Sequence, residues 1–150
     1  MKITNYSTTF NEDRTVALVK EKTAYYTEAK AVTTFDIAAK VVETAFDASN
    51  QTEEYIWLIA LDSDRKVTGA FEVSHGNLDR SVACPRAIFT RAMLAGAASI
   101  IIAHNHPSGS LRVSQTDRDV SRRIGEAGEL LGIPLGDHII IAEGDYVSAL

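Results

Sequence analysis

Seven consecutive apolar residues, Tyr55 to Leu61 (YIWLIAL), restrict the fold more than any other stretch. A strand with one solvated face alternates apolar and polar positions. This run does not, so it reads as a central strand covered on both faces. Asp62-Ser-Asp-Arg-Lys66 then turns the chain, and Val67 to Ser74 returns as a second strand to complete a hairpin. Helical signals surround it. Thr33-Thr-Phe-Asp36 has the form of a helix start, and Ile37, Ala38, Val41, Val42 and Ala45 make an apolar stripe. Pro85 opens a helix to about Ala95, with Ile88, Phe89, Ala92 and Met93 on its apolar face and Gly96 near its end. Ser99 to Ala103 is another buried strand, and a long helix runs from Gln115 to Gly132. Asp137-His138 leads a final strand through Ile141, and Tyr146 to Leu150 closes the chain after a Glu143-Gly144-Asp145 turn. Strands alternating with helices, plus one hairpin, describe an α/β sandwich with a mixed sheet. Residues 1–32 carry less signal. Thr15 to Lys20 is strand-like and Tyr25-Tyr26 hints at another strand. The segment is read as an N-terminal extension: an edge hairpin, a partner-binding arm or a flexible tail.

Chemistry concentrates after the Ser99–Ala103 strand, in HNHPSGSLRVSQTD, His104 to Asp117. Side chains two apart on a strand share a face, so His104 and His106 converge on one point. Pro107, Ser108 and Gly109 turn the chain toward Ser114-Gln-Thr-Asp117, which has the pattern of a helix N-terminus. Asp117, Val120 or Ser121, Ile124, Ala127 and Leu131 recur at spacings of three and four, so Asp117 lies near the edge of the inward stripe. A carboxylate turned inward is costly unless something compensates it. Two histidines and a carboxylate suit catalytic zinc, with a fourth position open. The plain alternatives are a hydrogen-bonded histidine pair and an ordinary capping box, and spacing alone leaves both open.

His104, His106, Ser114 and Asp117 together match the pattern His-x-His, seven residues, Ser, two residues, Asp. It resembles the JAMM motif of MPN-domain metalloproteases. Asn105 and Pro107-Ser108-Gly109 resemble its bacterial RadC branch, as do Glu72 to Met93 and Leu131 to Ile141. The resemblance covers roughly residues 33–150, which form the second of two segments after the 1–32 extension. It implies the MPN fold, a cytidine-deaminase-like α/β/α sandwich. It further implies one zinc ion per chain on His104, His106 and Asp117, with Glu72 as the catalytic glutamate and Ser114 donating to an oxyanion. The implied activity is hydrolysis of an amide or isopeptide bond in a peptide or protein substrate. Read from position alone, Glu72 would be an exposed strand glutamate sharing a face with Ala70 and Ser74, and Ser114 a cap. His75 follows as a decoy ligand, better read as a polar strand-end residue. Cys84 departs from the histidine that the family carries before its Pro-Arg pair, and reads as a small packed residue. His138 resembles part of the family's Asp-His pair, with its role open.

Composition sets the exclusions. A net charge of −5, with no Lys/Arg run, lacks the footprint of a phosphate-backbone binder. Longer RadC proteins resemble chains with a helix-hairpin-helix-like region ahead of the MPN domain, for which 150 residues leave no room. Nucleic acid is therefore a disfavoured partner, whatever the family's historical DNA-repair label. No apolar run approaches the ~18–20 residues of a membrane span. A single cysteine excludes an internal disulfide framework and fits a cytoplasmic location. It also removes the Pro-Cys-x-x-Cys signature of a zinc nucleobase deaminase. A cysteine hydrolase built on Cys84 would leave the His-x-His…Asp constellation unexplained. The rival from another class is a non-catalytic MPN interaction module tied to DNA repair or to mobile elements. Oligomeric state is not legible, a homodimer included.

Overall fold

The computed structural model describes residues 1–76 and 83–150. The strands are β1 (Lys2–Phe10), β2 (Val16–Tyr25), β3 (Tyr55–Leu61), β4 (Val67–His75), β5 (Ser99–Asn105), β6 (Leu135–Ala142) and β7 (Asp145–Ser148). The helices are α1 (Phe35–Phe46), α2 (Pro85–Leu94) and α3 (Gln115–Leu131). All seven strands form one mixed sheet in the order β2-β1-β4-β3-β5-β6-β7. Two contacts are parallel, β1 with β4 and β5 with β6. The α/β sandwich with a mixed sheet is thus the observed architecture.

The YIWLIAL run lies in the middle of the sheet, and its alternate residues enter two different cores. Trp57, Ile59 and Leu61 face α1, meeting Ala38, Val41, Val42 and Ala45, with Ile101, Ala103, Ile139 and Ile141 beside them. Leu58 and Ala60 face the other way, onto Ile88, Phe89 and Ala92 of α2 and Ile124 of α3, beside Ile100 and Ile102. One helix covers one face and two cover the other, which is why neither parity of the strand is polar.

Caps fix the helices. Thr34 accepts from the Ile37 N–H ahead of α1, and Gly132 ends α3 in the left-handed region at φ 69°. Gly128, inside α3, meets a different demand, close approach. A β-carbon there would lie 2.5 Å from the Ile133 carbonyl oxygen and 3.3 Å from Phe89 Cζ. Gly128→Ala is therefore expected to lower the urea midpoint, by about 1–3 kcal/mol of overpacking. That loss exceeds the ~1 kcal/mol which alanine contributes to a helix.

The N-terminal segment joins the sheet. β1 and β2 form an antiparallel hairpin, β1 touches β4 at Asn5↔Ala70, and Ile3 is fully buried with the α1 core. Asn5 donates to the Ala45 carbonyl at the end of α1. Of the alternatives for residues 1–32, the structure shows the edge hairpin. β1 was illegible because only Ile3, Thr4 and Asn5 are buried, while its second half is largely exposed and shows no apolar alternation.

Candidate metal centre

His104 ends β5 on the face shared with Ile100 and Ile102, and His106 follows just beyond the strand, its N–H donating to the Ile141 carbonyl. α3 begins with a full capping box that brings Asp117 to the same place. The Asp117 N–H donates to Ser114 Oγ at 3.1 Å, while the Ser114 N–H and hydroxyl both donate to Asp117 Oδ2 at 2.6 Å. Both of Ser114's hydrogens are thus committed to Oδ2, leaving Oδ1 aimed at His104 Nε2, 3.2 Å away. His106 Nε2 is 2.8 Å from His104 Nε2 and 3.9 Å from Asp117 Oδ2. One ligand atom from each of His104, His106 and Asp117 lies within 4.8 Å of the others.

The donor chemistry fits a cation. His106 Nδ1 is 2.7 Å from the Ser110 carbonyl, which can only accept, so Nδ1 carries the hydrogen and Nε2 the lone pair. That lone pair faces the other imidazole and a carboxylate, a concentration of donors that only a positive centre relieves. Burial alone would raise the Asp117 pKa. Hydrogen bonds from His104 and Ser114 outweigh it and hold the carboxyl well below the ordinary range.

Behind the triad stands His138 on β6, 2 % exposed. Its Nε2 is 2.8 Å from His104 Nδ1, and its Nδ1 is 2.7 Å from Ser121 Oγ. Burial first, and the neighbouring His104 second, push its pKa down from 6.5 to about 3. In the metal-free protein, stability should therefore fall as pH drops from about 6.5 toward 3, because the unfolded chain takes up a proton there that folded His138 refuses. Calorimetric melts in chelator across that range, repeated on His138→Gln, test this. The variant should flatten the slope.

Glu72 lies elsewhere. It pairs with Trp57 across β3, on the α1 face of the sheet, whereas His104 is on the α2/α3 face. Its carboxylate is exposed and bonds His75 Nδ1 at 2.7 Å, and His75 stacks on Tyr55. The structure does not bring Glu72 to the triad: regular pairing from Ala70 to Glu72 places it on the α1 face, with Phe71 and Val73 toward the α2/α3 core. His75 is likewise no ligand in this cluster. Cys84 precedes α2, its thiol held below the ordinary range chiefly by the Ala87 and Arg86 N–H groups, and it is outside the triad. Within the Glu72–Met93 segment of resemblance, residues 77–82 lie outside the described ones.

A further carboxylate, on Glu54, lies near this end of the sheet. β3 pairs β5 as far as Ile56 opposite His104, and Glu54 stands two residues before Ile56, just outside β3. Glu54 also continues the β3–β4 ladder by accepting from the Gly76 N–H. Glu53 and Glu54 line a cleft with Gly76, Pro107 and Ser108, directly after His106. Asn105, buried between the two histidines, holds this loop in place. Its Oδ1 accepts from the Tyr55 N–H at 2.7 Å and its Nδ2 donates to the Glu53 carbonyl at 2.8 Å. In the sequence, Glu54 was hidden as one of two acids before an apolar strand.

The sequence pattern of the RadC-like JAB domain matches residues 32–150. The chain belongs to that family. Curated relatives agree. The UPF0758 protein of Geotalea uraniireducens (strain Rf4) is 42% identical over 96 residues, 64% of this chain and 42% of the relative. That of Clostridium tetani (strain Massachusetts / E88) is 46% identical over 96 residues, again 64% and 42%. The UPF0758 protein CPE2144 of Clostridium perfringens (strain 13 / Type A) is 37% identical over 127 residues, 85% of this chain and 55% of the relative. The RadC-like chain thus spans about half the length of the curated relatives it matches. JAB/MPN proteins are often metal-dependent hydrolases, and the His-His-Asp triad near one point is the matching feature here. No helix among the described residues is long and apolar enough to cross a membrane.

Proposed function

We propose that this RadC-like chain is a zinc-dependent hydrolase of amide or isopeptide bonds. The observation that carries the reading is the convergence of His104 Nε2, His106 Nε2 and Asp117 Oδ1, each with its remaining polar atoms already occupied. These three atoms would hold the ion. Zinc bound there would supply an activated water by lowering its pKa toward neutrality. Glu54, at the cleft beside His106, accepts the proton on its carboxylate and returns it to the leaving amine. Asn105 keeps Glu54 in place through the Glu53 and Tyr55 backbone. Ser114 contributes first as the clamp on Asp117 Oδ2. A second role, donation to an oxyanion, requires its hydroxyl to turn away from that carboxylate. Substrates are peptides or proteins, since the polar cleft beside His106 opens to solvent and the charge of the chain disfavours nucleic acid.

The test begins with metal content of protein purified without chelator and without a metal-binding tag. About one zinc per chain, followed by chelator-reversible turnover in a screen of peptides and isopeptide-linked conjugates, would support the enzyme. No zinc after add-back would end the proposal. Bound zinc without turnover would favour the non-catalytic interaction module.

A further inference from the structure

Two of the three ligands are tied together behind the site by hydrogen bonds that close on themselves. Ser121 lies one helical turn after Asp117 on α3, so both face inward. Its Oγ is 3.0 Å from the Asp117 carbonyl and 3.4 Å from the Ala149 carbonyl. The single hydroxyl hydrogen of Ser121 has these two carbonyls and His138 Nδ1, 2.7 Å away, as acceptors. Where a carbonyl takes it, the Oγ accepts from the His138 Nδ1–H. With its hydrogen on Nδ1, the buried imidazole of His138 presents a lone pair on Nε2 to His104 Nδ1 at 2.8 Å. In that arrangement His104 donates from Nδ1 and frees its Nε2 lone pair for a cation, in place of the hydrogen bond that Nε2 otherwise gives Asp117 Oδ1 at 3.2 Å. The circuit runs from α3 to β6 to β5 and back to α3.

We propose that Ser121 and His138 are positioning residues that fix His104 as its Nδ1–H tautomer and so select Nε2 as the ligating atom. This rests on reading the triad as a metal site, and it deepens that reading. It also gives a function to the buried polar pair, Ser121 and His138, which the sequence reading left without one. A ligating histidine characteristically donates its other N–H to an outer partner, and loss of that partner typically weakens metal binding ~10–100-fold. Here the partner is an imidazole held neutral by a serine, where a carboxylate is common. The circuit thus adds no second negative charge beside Asp117.

The experiment measures zinc affinity by competition with a chromophoric chelator, on wild type, His138→Leu, His138→Gln and Ser121→Ala. Imidazole tautomers are read alongside by long-range 1H–15N spectra of both metal-free and zinc-loaded protein. Zinc-loaded wild type should show His138 and His104 as Nδ1–H tautomers. His138→Leu should bind zinc ~10–100-fold more weakly. His138→Gln should recover most of the loss, because its amide oxygen accepts from His104 Nδ1. Ser121→Ala, a smaller change that guards against misfolding of the leucine variant, should shift the His138 tautomer and weaken zinc in the same direction. A folded His138→Leu with wild-type affinity would overturn the relay, as would an Nε2–H tautomer of His138 in zinc-loaded wild type. Failure of the metal reading is separate: wild type itself would bind no zinc.

Discussion

Replacing Asp117 with asparagine is expected to strip the protein of zinc while leaving it folded. The amide oxygen of asparagine can still accept from the Ser114 N–H, so the start of α3 survives. What disappears is the only anionic donor of the triad, on a residue just 8 % exposed, where no water replaces it freely. A first ligand should matter more than the ~10–100-fold typical of outer partners, so affinity should fall more than ~100-fold. The same loss is visible without any substrate. Zinc at ~1,000 times its Kd stabilises a folded protein by about 4.1 kcal/mol. In a chain of this size that corresponds to a rise of roughly 8–16 °C in Tm. Wild type should show that rise and Asp117→Asn should not. Equal rises in both would mean that zinc sits elsewhere.

Glu54→Gln and Glu72→Gln make the second large contrast. Glutamine keeps size and polarity but cannot take a proton, so Glu54→Gln should lose ~10²–10⁴-fold in turnover with zinc content unchanged. Glu72→Gln should retain wild-type turnover, because its carboxylate serves His75 on the opposite face of the sheet. The reverse result would assign the proton transfer to Glu72 and remove Glu54 from the mechanism.

These two glutamates show where sequence reasoning reached and where it stopped. His104, His106 and Asp117 were legible because each obeys a local period, alternation on a strand or 3.6 residues on a helix, and the periods alone bring them inward. Glu72 entered through the resemblance alone; alternation with Ala70 read it as an exposed strand glutamate, which is where it lies. Glu54 depends on the register between β3 and β5, strands separated by a hairpin and a helix. His138 was visible as a residue and opaque as a role, since Ser121 and His104 meet it from two other elements. The central strand and the helices followed from burial pattern. β1 did not, because a strand with three buried positions gives almost no pattern to read.

The attachment of the N-terminal hairpin has its own consequence. β1 and β4 share a single parallel bridge, Asn5↔Ala70, among the described residues, and beyond it the β1–β2 ribbon is mostly solvent-exposed. Few buried apolar side chains oppose opening of its distal half, while β3 and β5 are enclosed by both cores. Under native conditions the amides of residues 6–20 should therefore exchange with deuterium through local opening, well below the free energy of global unfolding. Those of β3 and β5 should exchange only through global unfolding. The sheet is continuous in hydrogen bonds and divided in cooperativity: the metal centre resides in the slow-exchanging part, so the ribbon can be lost and regained many times while the site stays assembled.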